Sequence, residues 1–223
     1  MTSPAPLRHA LAGPRQCRMV RANQKARIPI HTSYGNMTAP AATPAEIDLL
    51  TGFLRLQAEG GTPPTPYWIS AEALPETARQ LLAHDHGMTA TLEAFWGERM
   101  RLTVLHTAEE TTRLRRHVLL SGADSGIPAE LGLIEMHLDA LPSAALFAVR
   151  QRRIPFGAIL SACGVPFRSQ PAGFLTLKAD KGIARLLGRQ PGDGVHGRAT
   201  TLYNKEGQIL ATAVELLSGH HPA

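Results

Sequence analysis

Gln208-Ile-Leu-Ala-Thr-Ala-Val-Glu-Leu-Leu217 is the stretch that decides the fold. Eight of these ten residues are apolar or threonine, so the segment reads as a strand, with one carboxylate, Glu215, near its end. A carboxylate buried without a partner is very costly, so Glu215 needs a counter-charge, a ligand or a proton. His196 to Asn204 reads as the strand before it, and Asn204-Lys-Glu-Gly207 suits a type I turn with glycine in the bulge position. Two registers follow. A three-residue bulged loop pairs Asn204 with Gln208, sets Gly197 opposite Glu215 and turns Arg198 to the other face. A two-residue turn sets Arg198 opposite Glu215 as an ion pair. Gly207 suits the first, which leaves space beside the carboxylate.

Working backwards, Phe174 to Lys178 reads as a strand, and Asp180 caps a short helix with Ile183, Leu186 and Leu187 on one face. Gly188 to Gly194 reads as a flap or plain connector. Met100 to His106, Arg116 to Leu120 and Leu131 to Leu138 are three strands with short links, which favours antiparallel pairing. Period two puts Arg116 with Val118 and Leu120 on the more buried face. Helices are expected after Thr43, whose capping-box partner is Glu46, after Ser70, from Met88 to Trp96 ending at Gly97, and from Pro142 through Arg150. The link Ile154-Pro-Phe-Gly157 leads into one more. The class is α+β: a single antiparallel β-sheet with helices packed on one side.

The chain has 223 residues, 43% of them hydrophobic, enough for one domain. Residues 1–43, rich in proline, alanine, arginine and threonine, read as a disordered extension before a domain at 44–223. No apolar run reaches the length of a membrane span. Cys17 and Cys163 do not form a disulfide framework, and a reducing cytoplasm fits them. The pI of 9.7 invites a nucleic-acid reading. Yet the net charge is only +5, aromatics are 5% and no dense basic helix exists, so no nucleic-acid partner is expected. His84-Asp-His86 fits no strong zinc spacing and reads as a polar helix end, so no metal is expected. A fixed cation, Arg116, and a fixed carboxylate, Glu215, in apolar surroundings make a site for a small organic anion.

Four segments in order resemble the chorismate pyruvate-lyases (4-hydroxybenzoate synthases). They are Leu81-Leu82 with Gly87-Met-Thr89, Arg116-His-Val-Leu-Leu120, Ile154-Pro-Phe-Gly157, and Gly197-Arg198 with the hairpin that ends at Glu215. The resemblance implies a cofactor-free, cytoplasmic, monomeric lyase that converts chorismate to 4-hydroxybenzoate and pyruvate, as in ubiquinone biosynthesis. It implies that Arg116 binds the ring carboxylate, that Glu215 is the acid/base carboxylate, and that Met88 and Phe156 line the pocket. The chain departs from the family where Leu133 follows Gly132, a place where its better-known branch has an arginine, and where Phe156 replaces a leucine. The alternative is a non-catalytic binder of a small aromatic or sugar acid, related to effector domains of bacterial transcriptional regulators. Residues 1–43 are too short and irregular for the winged helix such regulators carry, which favours the enzyme.

Overall fold

The computed structural model describes residues 42–58 and 61–221. Within them lie six α-helices: α1 Pro44–Gln57, α2 Glu76–Leu82, α3 Met88–Trp96, α4 Ser143–Arg150, α5 Phe156–Ala162 and α6 Lys181–Leu187. The strands are β1 Tyr67–Ile69, β2 Met100–Glu109, β3 Arg113–Gly122, β4 Pro128–His137, β5 Phe167–Lys178, β6 Gly194–Asn204 and β7 Ile209–Leu217. They form one seven-stranded sheet in the order β1-β5-β6-β7-β4-β3-β2, antiparallel at each pairing. β2, β3 and β4 are the expected meander. β7 lies between β6 and β4, at the centre of the sheet, so both of its faces are covered. That position explains its nearly continuous apolar run.

The expected class, a single antiparallel sheet with packed helices, is what forms, with the helices divided between its two faces. Helices α2 and α3 pack over Met100, Leu120 and Phe174, and α4 and α5 over Leu114, Met136 and Leu202, on the face that carries the site. Helix α1 and α6 cover the opposite face, over Leu131, Leu133, Val214 and Leu216. The capping box of α1 is present: the backbone N–H and hydroxyl of Thr43 donate to Glu46 Oε2 at 2.8 and 2.9 Å. The other Glu46 oxygen accepts from Thr201 Oγ1 of β6 at 2.7 Å, which ties the cap to the sheet. Asp180 caps α6 through Ile183 N–H at 2.7 Å.

Several elements differ from expectation. Ser70 opens a 3-10 turn, Ala71–Ala73, and α2 starts only at Glu76. Pro75 holds Leu74 extended, at ψ 141°, and so interrupts the helix. β5 begins at Phe167, seven residues before Phe174, and its pairing is irregular between Pro171 and Gly173. A proline inside a strand hides it from a pattern reading. β1, three residues beside a proline-rich loop, gave no strand signal. Cys163 is disulfide-bonded, contrary to the reading of two unpaired cysteines, and Cys17 lies outside the described residues. No helix among the described residues is long and apolar enough to cross a membrane. The expected disorder of 1–43 lies almost wholly outside the described residues.

The hairpin register is the main correction. Asn204 N–H does donate to Gln208 O at 3.0 Å, and Gly207 takes a left-handed φ of 81°, as the bulged loop requires. Tyr203 then pairs with Ile209, but Leu202 pairs with Ala211, so Leu210 is an extra residue. This second irregularity moves the rest of the ladder by one. Arg198 faces Glu215, and Gly197 faces Leu216. Because a strand alternates faces, one inserted residue exchanges the two registers.

Candidate functional site

Arg198 and Glu215 meet on the face covered by α2–α5. Arg198 Nε donates to Glu215 Oε2 at 2.6 Å, and neither residue is more than 9% exposed. A second nitrogen of the same guanidinium reaches across to the end of α2: Arg198 Nη1 donates to Leu82 O at 2.8 Å and to His84 O at 3.1 Å. The arginine therefore clamps the 82–87 segment to the sheet. His84 supports the clamp as a neutral ring. Its Nε2 lies 2.8 Å from Leu81 O, and its Nδ1 accepts from His86 N–H at 3.2 Å. Burial, then the charge of Arg198, lowers its pKa to about 3. Ser169 N–H donates to Asp85 O at 2.8 Å and holds the same segment to β5. Gly87, Met88 and Thr89, which open α3 directly after it, become a fixed wall.

Arg116 lies on the same face and is 1% exposed. Nη2 makes a weak contact with Met136 Sδ at 3.5 Å, while the buried Nε and Nη1 have no hydrogen-bond partner among the described residues. Burial, with a smaller contribution from the positive charge of Arg152, lowers its pKa to about 10, so it stays cationic at neutral pH. Buried polar groups are nearly always paired, and a guanidinium with two unpartnered nitrogens has the donors to take an anion. Its neighbour Arg115 points the other way and joins Arg113 in ion pairs with Glu135. The period-two assignment of the two arginines is what the structure has.

One residue of the site escaped the sequence reading. Glu130 of β4 is 4% exposed and lies beside Gly132, which pairs with Val118 on one side and Glu215 on the other. A Cβ at Gly132 would come within 2.7 Å of Glu130 Oε1, so the missing side chain is what makes room for this carboxyl. Burial, then the charge of Glu215, raises the Glu130 pKa well above the ordinary carboxylate value, and Arg198 offsets this only in part. Both influences favour the protonated form of Glu130 over the carboxylate. The sequence signal was present but faint: one acid in the otherwise apolar run Ala129-Glu-Leu-Gly-Leu-Ile134.

These groups border one cavity with about 630 Å³ of atom-free space, part of it open to solvent. Among the described residues its ionisable lining is Arg116, Glu130, Arg198 and Glu215. Leu102, Val118, Leu120, Ile134 and Leu202 supply apolar walls, and Pro155, Phe156 and Gly157 close one side at the start of α5. All four expected site residues, Met88, Arg116, Phe156 and Glu215, line this cavity. The Gly188–Gly194 loop does not border it. That loop is a connector, held by Ala179 N–H to Asp193 O at 2.9 Å and Gly192 N–H to Ala179 O at 2.8 Å.

No protein-family model matches the sequence, and no curated protein matches it. Solved structures of similar fold do. The effector domain of PhnF from Mycobacterium smegmatis is 16% identical, with a TM-score of 0.48 over 60% of this chain and 89% of that one. PhnF from the same organism is 15% identical, with a TM-score of 0.47 over 84% of this chain and 92% of that one. A GntR-family transcriptional regulator from Enterococcus faecalis V583 is 13% identical, with a TM-score of 0.37 over 53% and 93% of the two chains.

Proposed function

We propose that the cavity binds a small ring-shaped carboxylic acid, with Arg116 taking its carboxylate. The observation that carries this reading is the buried Arg116 guanidinium with Nε and Nη1 unpartnered at the cavity. A carboxylate fits its fork of donors, and the apolar walls beside it suit a flat ring.

The finer reading is that the ligand is chorismate and that the protein is a cofactor-independent lyase. The bond between the ring carbon and the enolpyruvyl ether oxygen breaks, the oxygen leaves with the enolpyruvate, a ring C–H proton leaves, and the ring becomes aromatic. The departing enolpyruvate takes up a proton and is released as pyruvate. Most of the driving force lies in the substrate, so the protein need only hold the anion, exclude water and move a proton. Glu215, adjacent to the cavity's middle, is the acid/base group of this reading, and Met88 and Phe156 hold the ring. The four family-like segments support it, because they supply the walls of one cavity.

A second reading keeps the ligand class and drops the reaction: the protein is a non-catalytic binding domain. The observation favouring it is that Glu215 is already engaged by Arg198, which also clamps the α2 end. Leu133 after Gly132 also removes one cation that a dianion would use.

The test is calorimetry with chorismate and 4-hydroxybenzoate, together with a pyruvate-release assay without added metal or nucleotide. Binding with release above the spontaneous rate establishes the lyase. Binding with chorismate left intact establishes the binding domain. No binding of either compound overturns the proposal.

A further inference from the structure

Helix α5 ends at Cys163, away from the cavity that its first residues line. Cys163 caps the helix, is partly exposed and is disulfide-bonded. Cys17 is the other cysteine of the sequence and lies outside the described residues. Within one chain the bond therefore has one possible composition. Beside Cys163, the residues Ser161, Gly164, Val165, Pro166 and Phe167 form an open groove with about 550 Å³ of atom-free space. Its backbone is held in place. Gly164 takes a left-handed φ of 66°, its N–H donates to Ser161 O at 3.1 Å, and Val165 N–H donates to Leu160 O at 2.9 Å. The Phe167 ring stands between this groove and the cavity wall. Its Cζ would lie 3.1 Å from a Cβ on Gly87 and 3.7 Å from one on Gly157, and both glycines line the cavity.

We propose that Cys17 is the partner of Cys163, and that the bond seats residues 16–20 of the same chain on this groove, with Met19 and Val20 against Val165, Pro166 and Phe167. The chain from Cys17 to Ala42 can extend to roughly 80 Å, about twice the width of a domain of this size. The bond is therefore within reach whichever way the segment runs. Once Cys17 is tethered, Met19 and Val20 are confined beside an apolar groove, and burying them there removes apolar surface from water. The bond forms by exchange with a small disulfide such as oxidised glutathione. The Cys17 thiolate, favoured by Arg15 and Arg18 beside it, attacks one sulfur and the first glutathione leaves as a thiolate. Cys163 Sγ, deprotonated, then attacks Cys17 Sγ and the second leaves. Two protein thiols are oxidised to one disulfide, and one glutathione disulfide is reduced to two thiols. A reductant reverses the exchange and uncovers the groove, so the redox state sets what lies behind Phe167.

Tryptic mapping of the full chain without reduction, after equilibration with oxidised glutathione, tests the bond. Residues 16–18 should be recovered joined to residues 154–168, and thiol titration should find no free cysteine. Two free thiols per chain, or Cys163 joined to a second copy on a non-reducing gel, overturns the pairing. Hydrogen exchange tests the seating. Residues 164–168 should exchange several-fold more slowly in the oxidised wild type than in Cys17→Ser, and reduction should bring the wild type to the rate of the variant. The reduced wild type supplies the same comparison without a substitution, and circular dichroism confirms that each protein is folded. A double variant, Met19→Ser with Val20→Ser, should keep the bond and lose the slow exchange. Equal exchange in the oxidised and reduced wild type overturns the seating. Slow exchange that survives in the double variant overturns the role of Met19 and Val20.

Discussion

At the scale of single residues, the site is a set of buried charges in unequal states. Arg198 and Glu215 satisfy one another, Arg116 is charged and has two nitrogens without a partner, and Glu130 is pushed towards its protonated form. Removing an idle cation should not harm the fold. Arg116→Gln is therefore expected to abolish ring-carboxylate binding by calorimetry while leaving the melting temperature equal or higher. Removing half of a satisfied pair should behave oppositely. Arg198→Met is expected to cost about 3–5 kcal/mol in denaturant unfolding, because Glu215 stays buried and unpaired. Adding Glu215→Gln should restore part of that loss. Glu130 also sets a pH dependence. In the unfolded chain it releases its proton near 4.5, whereas the folded chain keeps it, so the folded state binds more protons above that pH. Its contribution to stability is then lost progressively as pH rises from about 4.5 towards the raised folded value. Glu130→Gln should flatten the fall in melting temperature as pH rises above about 4.5. His84 acts in the other direction, since its folded pKa of about 3 lies below the ordinary 6.5, so stability falls as pH drops through that window.

At the scale of elements, one bulge decides where the site forms, and one close approach decides how the far side of the sheet packs. The Leu210 bulge sets the register of β6 on β7 and brings Arg198 round to face Glu215. On the far side of the sheet, α6 approaches α1 so closely that a Cβ on Gly182 would lie 2.1 Å from Gln57 O. That obstacle is backbone and cannot rotate away. Gly182→Ala should therefore lower the melting temperature markedly by pushing α6 away from α1, and should leave ligand affinity in the surviving folded protein close to wild type. Equal melting temperatures for the two proteins would show that the helices can separate without loss. Most elements were legible because their signals are local. Asp180 as a cap, Gly97 as a left-handed helix end, and the alternation of β3 each depend on a few neighbouring residues. Elements whose signals are not local were missed. β1 exists because β5 offers it an edge, and the first half of β5 is held by β6 despite Pro171.

At the scale of the whole molecule, one sheet carries all three apolar clusters, so no part has a core of its own. Unfolding should be a single transition by both fluorescence and circular dichroism. A ligand that binds only the folded state should raise stability by about 2.7 kcal/mol at a concentration one hundred times its Kd. A melting temperature indifferent to saturating 4-hydroxybenzoate would argue against the cavity as a site for that compound. The amino-acid sequence by itself determined the class of fold, because period two, caps and turns are properties of short segments. It also marked Arg116 and Glu215 as the charges that needed an explanation, since burying charge is costly wherever it occurs. Only the tertiary structure decided their states. An extra residue at Leu210 flips a whole strand face without altering its composition, and it gave Glu215 a partner. Gly132, an unremarkable glycine in the sequence, became the space into which Glu130 leans. Whether a buried charge is paired, idle or neutralised depends on groups that the chain brings together from distant positions, and no local pattern encodes that.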